Sequence, residues 1–265
     1  MRKGYTDGPF GQIHWRMMDA VGEATMPDLY CLHPSPFSGL AYTNVMPMLA
    51  QNRRVIAPDY PGYGGSDPFK AHPSIAEYAE AMLAVMDDLT RGGTVDLTGF
   101  HTGNLVAGEM SLMASHRIRK LALADVPAFN AETRAKYRAM AAQPFEISDD
   151  KECLEKPWKR GIITRLEAQG PARALEMFAE QLRAGRDMHA AFDAAFTYDV
   201  YGRMPQISHE TLVFASQSEM LEATRWAAAN IPGATLVERL NITKGVLDQL
   251  AEETAKEIIR FLDQP

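Results

Sequence analysis

Short apolar runs alternate with helical patterns along most of the chain. The runs lie at residues 29–32, 54–57, 95–98, 121–124, 212–214 and 235–237. Apolar runs without polar alternation are typical of strands buried on both faces, as in a parallel sheet. Residues 10–18 follow the turn formed by Asp7, Gly8 and Pro9, and this order predicts the second arm of a hairpin.

The clearest helical pattern covers residues 74–89. Ser74 and Glu77 have the spacing of a capping box, and the apolar residues that follow recur on one face of a 3.6-residue period. Similar patterns predict helices at residues 102–116, 219–230 and 248–262. Alternating strands and helices predict an α/β fold with a mostly parallel sheet flanked by helices.

The region 128–205 lacks a strand-like run and is rich in alanine, methionine, arginine and aromatic residues. Prolines and glycines divide it into short helical segments. We therefore predict that it is a helical cap inserted into a core made of residues 1–127 and 206–265.

The composition of the chain argues against several functional classes. The chain has 265 residues, a formal net charge of −7 and no basic block, which argues against a nucleic-acid partner. No apolar run approaches the ~18 residues of a membrane span, and residues 1–7 do not resemble a secretion signal. Two cysteines, Cys31 and Cys153, form no disulfide framework, so we expect a cytoplasmic protein. A small molecule is the expected partner, and a homodimer remains open.

Three segments carry a family resemblance. Residues 32–37 follow one strand, residues 59–66 form a glycine-rich loop after the next, and residues 95–104 run from a strand through a glycine-flanked turn into a helix. In this order they resemble the oxyanion-hole loop, the D-x-P-G-x-G-x-S loop and the nucleophile elbow of the α/β-hydrolase superfamily. The resemblance covers residues 10–126 and 206–263, and it implies the α/β-hydrolase fold with the insertion at the position of the family's cap.

The elbow departs from the family pattern. It normally reads G-x-S-x-G, but here it reads Gly-Phe-His-Thr-Gly, which places His101 at the nucleophile position. Residues 210–265, where the resemblance would place the catalytic histidine, contain no histidine. That position falls near Lys244, and the family's usual acid falls near Glu219. Asp125, after the preceding strand, is an alternative acid.

The resemblance also implies how His101 works. The backbone N–H groups of Ser35 and Thr102 would form an oxyanion hole. The positive end of the following helix favours a neutral imidazole unless Asp125 lies close. A neutral imidazole can act as a base, a hydrogen-bond donor or a nucleophile, and Asp125 would orient it or supply its counter-charge.

Simpler interpretations compete for each residue. His101 could fill an inactive pocket, and His33 could organise its loop. Lys244 could be a surface charge, and Glu219 a first-turn helix residue. The remaining histidines have no second ligand at metal-binding spacing, so no metal or other cofactor is expected.

The function expected from the sequence is a cofactor-independent enzyme, by default a hydrolase, acting on a small apolar ester or carbonyl compound. A cofactor-free lyase, isomerase or oxygenase that uses His101 as a base is an alternative. A non-catalytic ligand-binding protein of the same fold is another.

Overall fold

An eight-stranded sheet forms the centre of the computed structural model, which describes residues 1–69 and 73–264. The strands are β1 (Arg2–Gly8), β2 (Gly11–Met18), β3 (Leu29–Leu32), β4 (Val55–Pro58), β5 (Val95–Phe100), β6 (Ile118–Ala124), β7 (Glu210–Ser216) and β8 (Thr235–Arg239). They lie side by side in the order β1-β2-β4-β3-β5-β6-β7-β8. β1 and β2 form the predicted antiparallel hairpin, and β3 to β8 are parallel to one another. The predicted mostly parallel sheet is confirmed.

Helices cover both faces of the sheet. They are α1 (Met46–Leu49), α2 (Ile75–Leu89), α3 (Thr102–Met113), α4 (Ala131–Ala141), α5 (Glu155–Trp158), α6 (Leu166–Arg183), α7 (Ala190–Thr197), α8 (Val200–Arg203), α9 (Leu221–Asn230) and α10 (Ala251–Leu262). One apolar cluster contains the buried side chains of α2 and α3, and a second contains those of α1 and α10. The central strands are therefore buried on both sides, which explains their apolar runs.

The start of α2 follows its capping prediction. The Ser74 hydroxyl accepts the Glu77 N–H at 3.2 Å, and the Glu77 carboxylate accepts the Ser74 N–H at 2.7 Å. Other helix bounds differ from the prediction. The region around Glu219 is a turn, and α9 begins only at Leu221. Glu219 is therefore not a first-turn helix residue, contrary to the simpler interpretation of the sequence.

Every regular element described between β6 and β7 is helical. This helical segment contacts the strand-end loops through buried hydrogen bonds. The Tyr63 hydroxyl donates to the Met188 carbonyl at 3.2 Å and accepts the Ala191 N–H at 2.9 Å. The Arg173 guanidinium donates to the Leu40 carbonyl at 2.9 Å. These contacts hold the segment beside the loops that follow β3 and β4.

Within residues 1–69 and 73–264, none of the helices combines the length and apolar character needed to span a membrane.

Candidate functional site

The turn from β5 into α3 has a backbone that only tight packing can hold. His101 has φ of 51° and ψ of −118°, which is a costly conformation for a residue with a side chain. A Cβ at Gly99 would lie 2.6 Å from the Asn104 nitrogen, and one at Gly103 would lie 1.9 Å from the Leu32 carbonyl oxygen. The two glycines therefore allow α3 to begin directly against the end of β3, with His101 between them.

Asn104 fixes this turn to the neighbouring strand. Its side-chain amide donates to the Ala124 carbonyl at 2.7 Å, and its oxygen accepts the Ala124 N–H at 3.1 Å. The His101 N–H also donates to the Ala124 carbonyl, at 3.3 Å. Hydrogen bonds to β6 thus hold His101 in its strained backbone conformation.

The His101 ring lies at the wall of a cavity of about 360 Å³. Its centroid is 4.0 Å from that of the Phe100 ring, and its nitrogens make no hydrogen bond to any described residue. Burial, with a smaller contribution from the positive charge of Arg165, lowers the pKa of His101 to about 3. The neutral imidazole expected from the sequence follows, although burial is its main cause rather than the helix dipole.

The cavity lies between the strand ends and the helical segment. Its wall combines side chains from the loops after β3, β5, β6, β7 and β8 with side chains from the start of α6. The residues that line it include Ser35, Phe37, Phe100, His101, Asp125, Thr164, Arg165, Gln169, Met177, Ser216, Ser218, Thr243, Lys244, Leu247 and Asp248.

Two backbone N–H groups lie near His101 without a protein acceptor. Neither the Ser35 nor the Thr102 N–H donates a hydrogen bond within the described chain. A Cβ at Gly103 would lie 3.2 Å from the His33 carbonyl oxygen, so the start of α3 packs directly against the segment that leads to Ser35. The Ser35 hydroxyl is also buried without a partner in the described chain. Ser35 lines the cavity and Thr102 directly follows the lining residue His101, so a substrate oxygen that reached both N–H groups would find two hydrogen-bond donors, as in an oxyanion hole.

His33 holds the loop after β3. Its ring is fully buried, its Nδ1 lies 3.1 Å from the Pro34 carbonyl oxygen, and its Nε2 accepts the Tyr60 N–H at 2.9 Å. Nδ1 therefore carries the proton and donates it to the carbonyl. Both nitrogens are occupied, which supports the loop-organising interpretation.

Asp125 lines the same cavity as His101 but does not pair with it in the described chain. Its carboxylate accepts the Ser216 N–H at 2.9 Å and the Ser216 hydroxyl at 2.6 Å. Burial raises the pKa of Asp125. The pairing expected between Asp125 and His101 is not formed, and the carboxylate instead binds the end of β7 through both of its oxygens.

Lys244 and Glu219 differ in their relation to the cavity. Lys244 is exposed and lies 3.7 Å from Glu167, while part of it borders the cavity. Glu219 is exposed and does not line the cavity. Lys244 is thus a charge at the rim, and Glu219 does not occupy the position of an acid partner.

The other described histidines are not among the residues that line the cavity. His14 pairs with Asp59 at 2.8 Å, His116 is exposed, His189 is buried beside Arg186, and His209 contacts Ser115. His72 lies outside the described residues. Among the described residues, no group of three or more histidine, cysteine or acidic side chains is arranged to hold a metal ion.

Arg165 and Ser216 are the site residues that sequence reasoning missed. Ser216 is the last residue of β7, so its position at the end of a parallel strand was a usable signal. Arg165 comes from the helical segment, where many arginines alternate with apolar residues. Nothing in its local sequence separates it from neighbours that point to solvent.

Comparison with known proteins agrees with this architecture. A sequence model of the alpha/beta hydrolase family matches residues 29–243, and the chain therefore belongs to that family. The α/β-hydrolase fold predicted from the motifs is confirmed.

Two curated relatives are hydrolytic enzymes. The chain is 32% identical over 186 residues to a 2-hydroxy-6-oxo-2,4-heptadienoate hydrolase of Pseudomonas putida, which is 67% of this chain and 66% of that protein. It is 31% identical over 107 residues to a pimeloyl-[acyl-carrier protein] methyl ester esterase of Aeromonas hydrophila, which is 40% of each. The chain thus aligns with just under two thirds of the first relative and less than half of the second.

Solved structures share the fold over nearly the whole chain. A hydrolase from Pseudomonas aeruginosa superposes with a TM-score of 0.82 at 20% identity, covering 99% of both chains. An enol-lactonase from Burkholderia xenovorans superposes with a TM-score of 0.80 at 19% identity, covering 98% of this chain and 100% of that one. At these identities the likeness shows the fold.

Proposed function

We propose that this protein is a cofactor-independent hydrolase of small esters or lactones, with His101 as its catalytic base. One observation carries the proposal. A neutral imidazole with no hydrogen-bond partner in the described chain borders the cavity at the strained turn before α3, where the family keeps its nucleophile. The relatives' names, a hydrolase and an esterase, support this reaction class.

The proposed reaction needs three contributions from the chain. The imidazole of His101 takes a proton from water, and the resulting hydroxide attacks the carbonyl carbon of the substrate. The Ser35 and Thr102 N–H groups donate hydrogen bonds to the negative oxygen that forms. When the tetrahedral species collapses, the C–O bond to the leaving alcohol breaks, and the imidazolium returns the proton to that alcohol.

Asp125 has a supporting role in this proposal. Its carboxylate fixes Ser216 at the end of β7 and so shapes part of the cavity wall. Helices α4 to α8 form the proposed cap over the cavity, and Lys244 lies at the cavity rim. The proposed ligand is a small molecule.

The test is turnover of 4-nitrophenyl acetate and of short-chain lactones. We expect the change His101→Ala to lower kcat about 10²- to 10⁴-fold, because it removes the base. His116→Ala is the matched control, since that side chain is exposed and far from the cavity lining. We expect His101→Ser to be as inactive as His101→Ala, because no described histidine lies in position to activate the new hydroxyl.

Three other outcomes would overturn the proposal. Undiminished turnover in His101→Ala would remove His101 from the reaction. No turnover of any ester or lactone by the native protein, with compounds of this class still raising its Tm, would favour a ligand-binding protein. An acyl adduct on His101 in a quenched reaction, detected by mass spectrometry, would make His101 the nucleophile rather than the base.

A further inference from the structure

Most charged groups around the cavity already have partners within the described chain. Asp248 accepts a hydrogen bond from Arg173 at 2.9 Å. Lys244 lies 3.7 Å from Glu167, and the Asp125 carboxylate accepts two hydrogen bonds from the end of β7. Asp248 and Lys244 thus have oppositely charged partners, whereas Asp125 is held by neutral donors and keeps its charge.

Arg165 is the exception in the cavity lining. Its guanidinium carbon lies 4.8 Å from the centroid of the Phe37 ring, and its Nε donates to the Arg160 carbonyl at 3.3 Å. No carboxylate of the described residues lies within 4.0 Å of it. Burial lowers the pKa of Arg165, although it stays protonated as arginines in proteins do. A cation is thus held against an aromatic ring with no carboxylate of the described residues in direct contact, and the more distant charge of Asp248 offsets only part of the effect of burial on its pKa.

The surroundings of Arg165 select the kind of anion. A guanidinium presents a planar fork of donors that matches a carboxylate or a phosphate. Two carboxylates, Asp125 and Asp248, line the same cavity and would repel a doubly charged phosphate more than a singly charged carboxylate. Apolar neighbours such as Phe37 and Met177 suit the carbon chain of an organic acid.

We propose that Arg165 binds a carboxylate of the substrate, and that this carboxylate supplies the counter-charge for His101 that the chain itself does not provide. This inference rests on the proposed function, because it assigns His101 the proton transfer. It makes the substrate an ester or lactone that also carries an acid group.

The electrostatic reason is the sign of the charge at Arg165. In the free protein, this guanidinium disfavours a second positive charge on His101. A carboxylate bound to Arg165 neutralises that repulsion and adds a negative charge in the cavity. The pKa of His101 therefore rises when the acidic substrate binds, so the imidazolium that forms during proton transfer is stabilised. No separate acid residue is needed for this step.

A turnover experiment compares charged and neutral substrates of equal shape. The substrates are the monomethyl esters of succinate, glutarate and adipate and the corresponding dimethyl esters. We expect native protein to prefer the best monomethyl ester by about 10- to 100-fold in kcat/KM, the range of a hydrogen-bonded charge pair. Arg165→Gln should reduce this preference to near one, and Arg165→Lys should retain part of it.

Arg160→Gln is the matched control. It removes the same charge five residues away, but its side chain is exposed and only its backbone carbonyl contacts Arg165. The preference for the charged ester should survive in this variant. Loss of the preference in Lys244→Gln instead of Arg165→Gln would move the anion to the cavity rim and overturn the assignment.

A binding experiment measures the second half of the proposal without turnover. The ring nitrogens of His101 are followed by NMR during pH titrations with pentanoate and with its neutral analogue pentanamide. Above about pH 5, where pentanoate is ionised, we expect its binding to bring the protonation of the His101 ring into view, and pentanamide to leave the ring neutral throughout. In Arg165→Gln, the response to pentanoate should disappear. An unchanged pKa of His101 in native protein saturated with pentanoate would contradict the counter-charge role.

The two proposals fail in different ways. If turnover requires His101 but shows no preference for the charged esters, the proposed function stands and the carboxylate site is wrong. If pentanoate binds through Arg165 and raises the pKa of His101 while no ester is hydrolysed, the carboxylate site stands and the hydrolase proposal is wrong.

Discussion

The loop after β3 and the turn after β5 each place a histidine at the same edge of the sheet. The two strands are parallel neighbours, with Leu32 paired to Gly99, and each histidine is the first residue after the end of its strand. Burial lowers the pKa of both rings, to about 4 for His33 and about 3 for His101. By position and protonation state alone, the two histidines are alike.

Their hydrogen bonds separate them. Both nitrogens of His33 are used, one on the Pro34 carbonyl and one on the Tyr60 N–H. The nitrogens of His101 have no partner in the described chain, and the ring borders the cavity. The His101 residue is half-buried and its nitrogens are not among the buried polar atoms without a partner, so they are accessible to a ligand in the cavity, whereas both nitrogens of His33 are occupied within its own loop.

The low pKa of both histidines should have its largest effect on the stability of the protein in acid. Both histidines are neutral in the folded protein down to pH values where an unfolded histidine, with a pKa near 6.5, already binds a proton. The unfolded state therefore binds more protons below pH 6.5, and the free energy of unfolding falls as the pH decreases. Each ring should contribute a slope of roughly 1 kcal/mol per pH unit between pH 6 and pH 4.5.

Urea denaturation across this range measures the slope. His101→Ala should remove one histidine's share of it, with little loss of stability at pH 7.5. An identical slope in native protein and His101→Ala would mean that the ring of His101 already binds a proton within this range, against the neutral ring described above.

The change His33→Ala should cost stability at every pH. It leaves the buried Tyr60 N–H without an acceptor, which costs about 1–3 kcal/mol in the free energy of unfolding. His116→Ala, at an exposed position, should change that free energy by less than about 0.5 kcal/mol. Equal stabilities of the two variants at pH 7.5 would show that His33 does not hold its loop.

Asp125→Asn should have the smallest effect on turnover. The asparagine oxygen can still accept the Ser216 N–H, so we expect a loss of about 1 kcal/mol in stability and less than a tenfold decrease in kcat. A decrease as large as that of His101→Ala would instead restore the Asp125–His101 pair expected from the sequence.

The sequence predicted the sheet, the main helices and the position of His101 from local features. Apolar runs are visible because strands buried on both faces need them, and the glycines around His101 are visible because the backbone of α3 meets that of β3 there. The strand end that carries Ser216 was a usable signal, but its hydrogen bonds to Asp125 and the place of Arg165 were not predictable. Both depend on side-chain contacts between elements that are distant in sequence, and local sequence patterns do not encode such contacts.

The pH dependence of ester hydrolysis tests the central claim most directly. The substrate is 4-nitrophenyl acetate, the range is pH 5.5 to 8, and the rate of His101→Ala is subtracted at each pH. Because the pKa of His101 is about 3, its imidazole is neutral throughout, and kcat/KM should stay constant across the range. A sigmoidal decrease of kcat/KM towards acid, with a midpoint near pH 6.5, would show that the catalytic base is a histidine of ordinary pKa. This result would contradict the account.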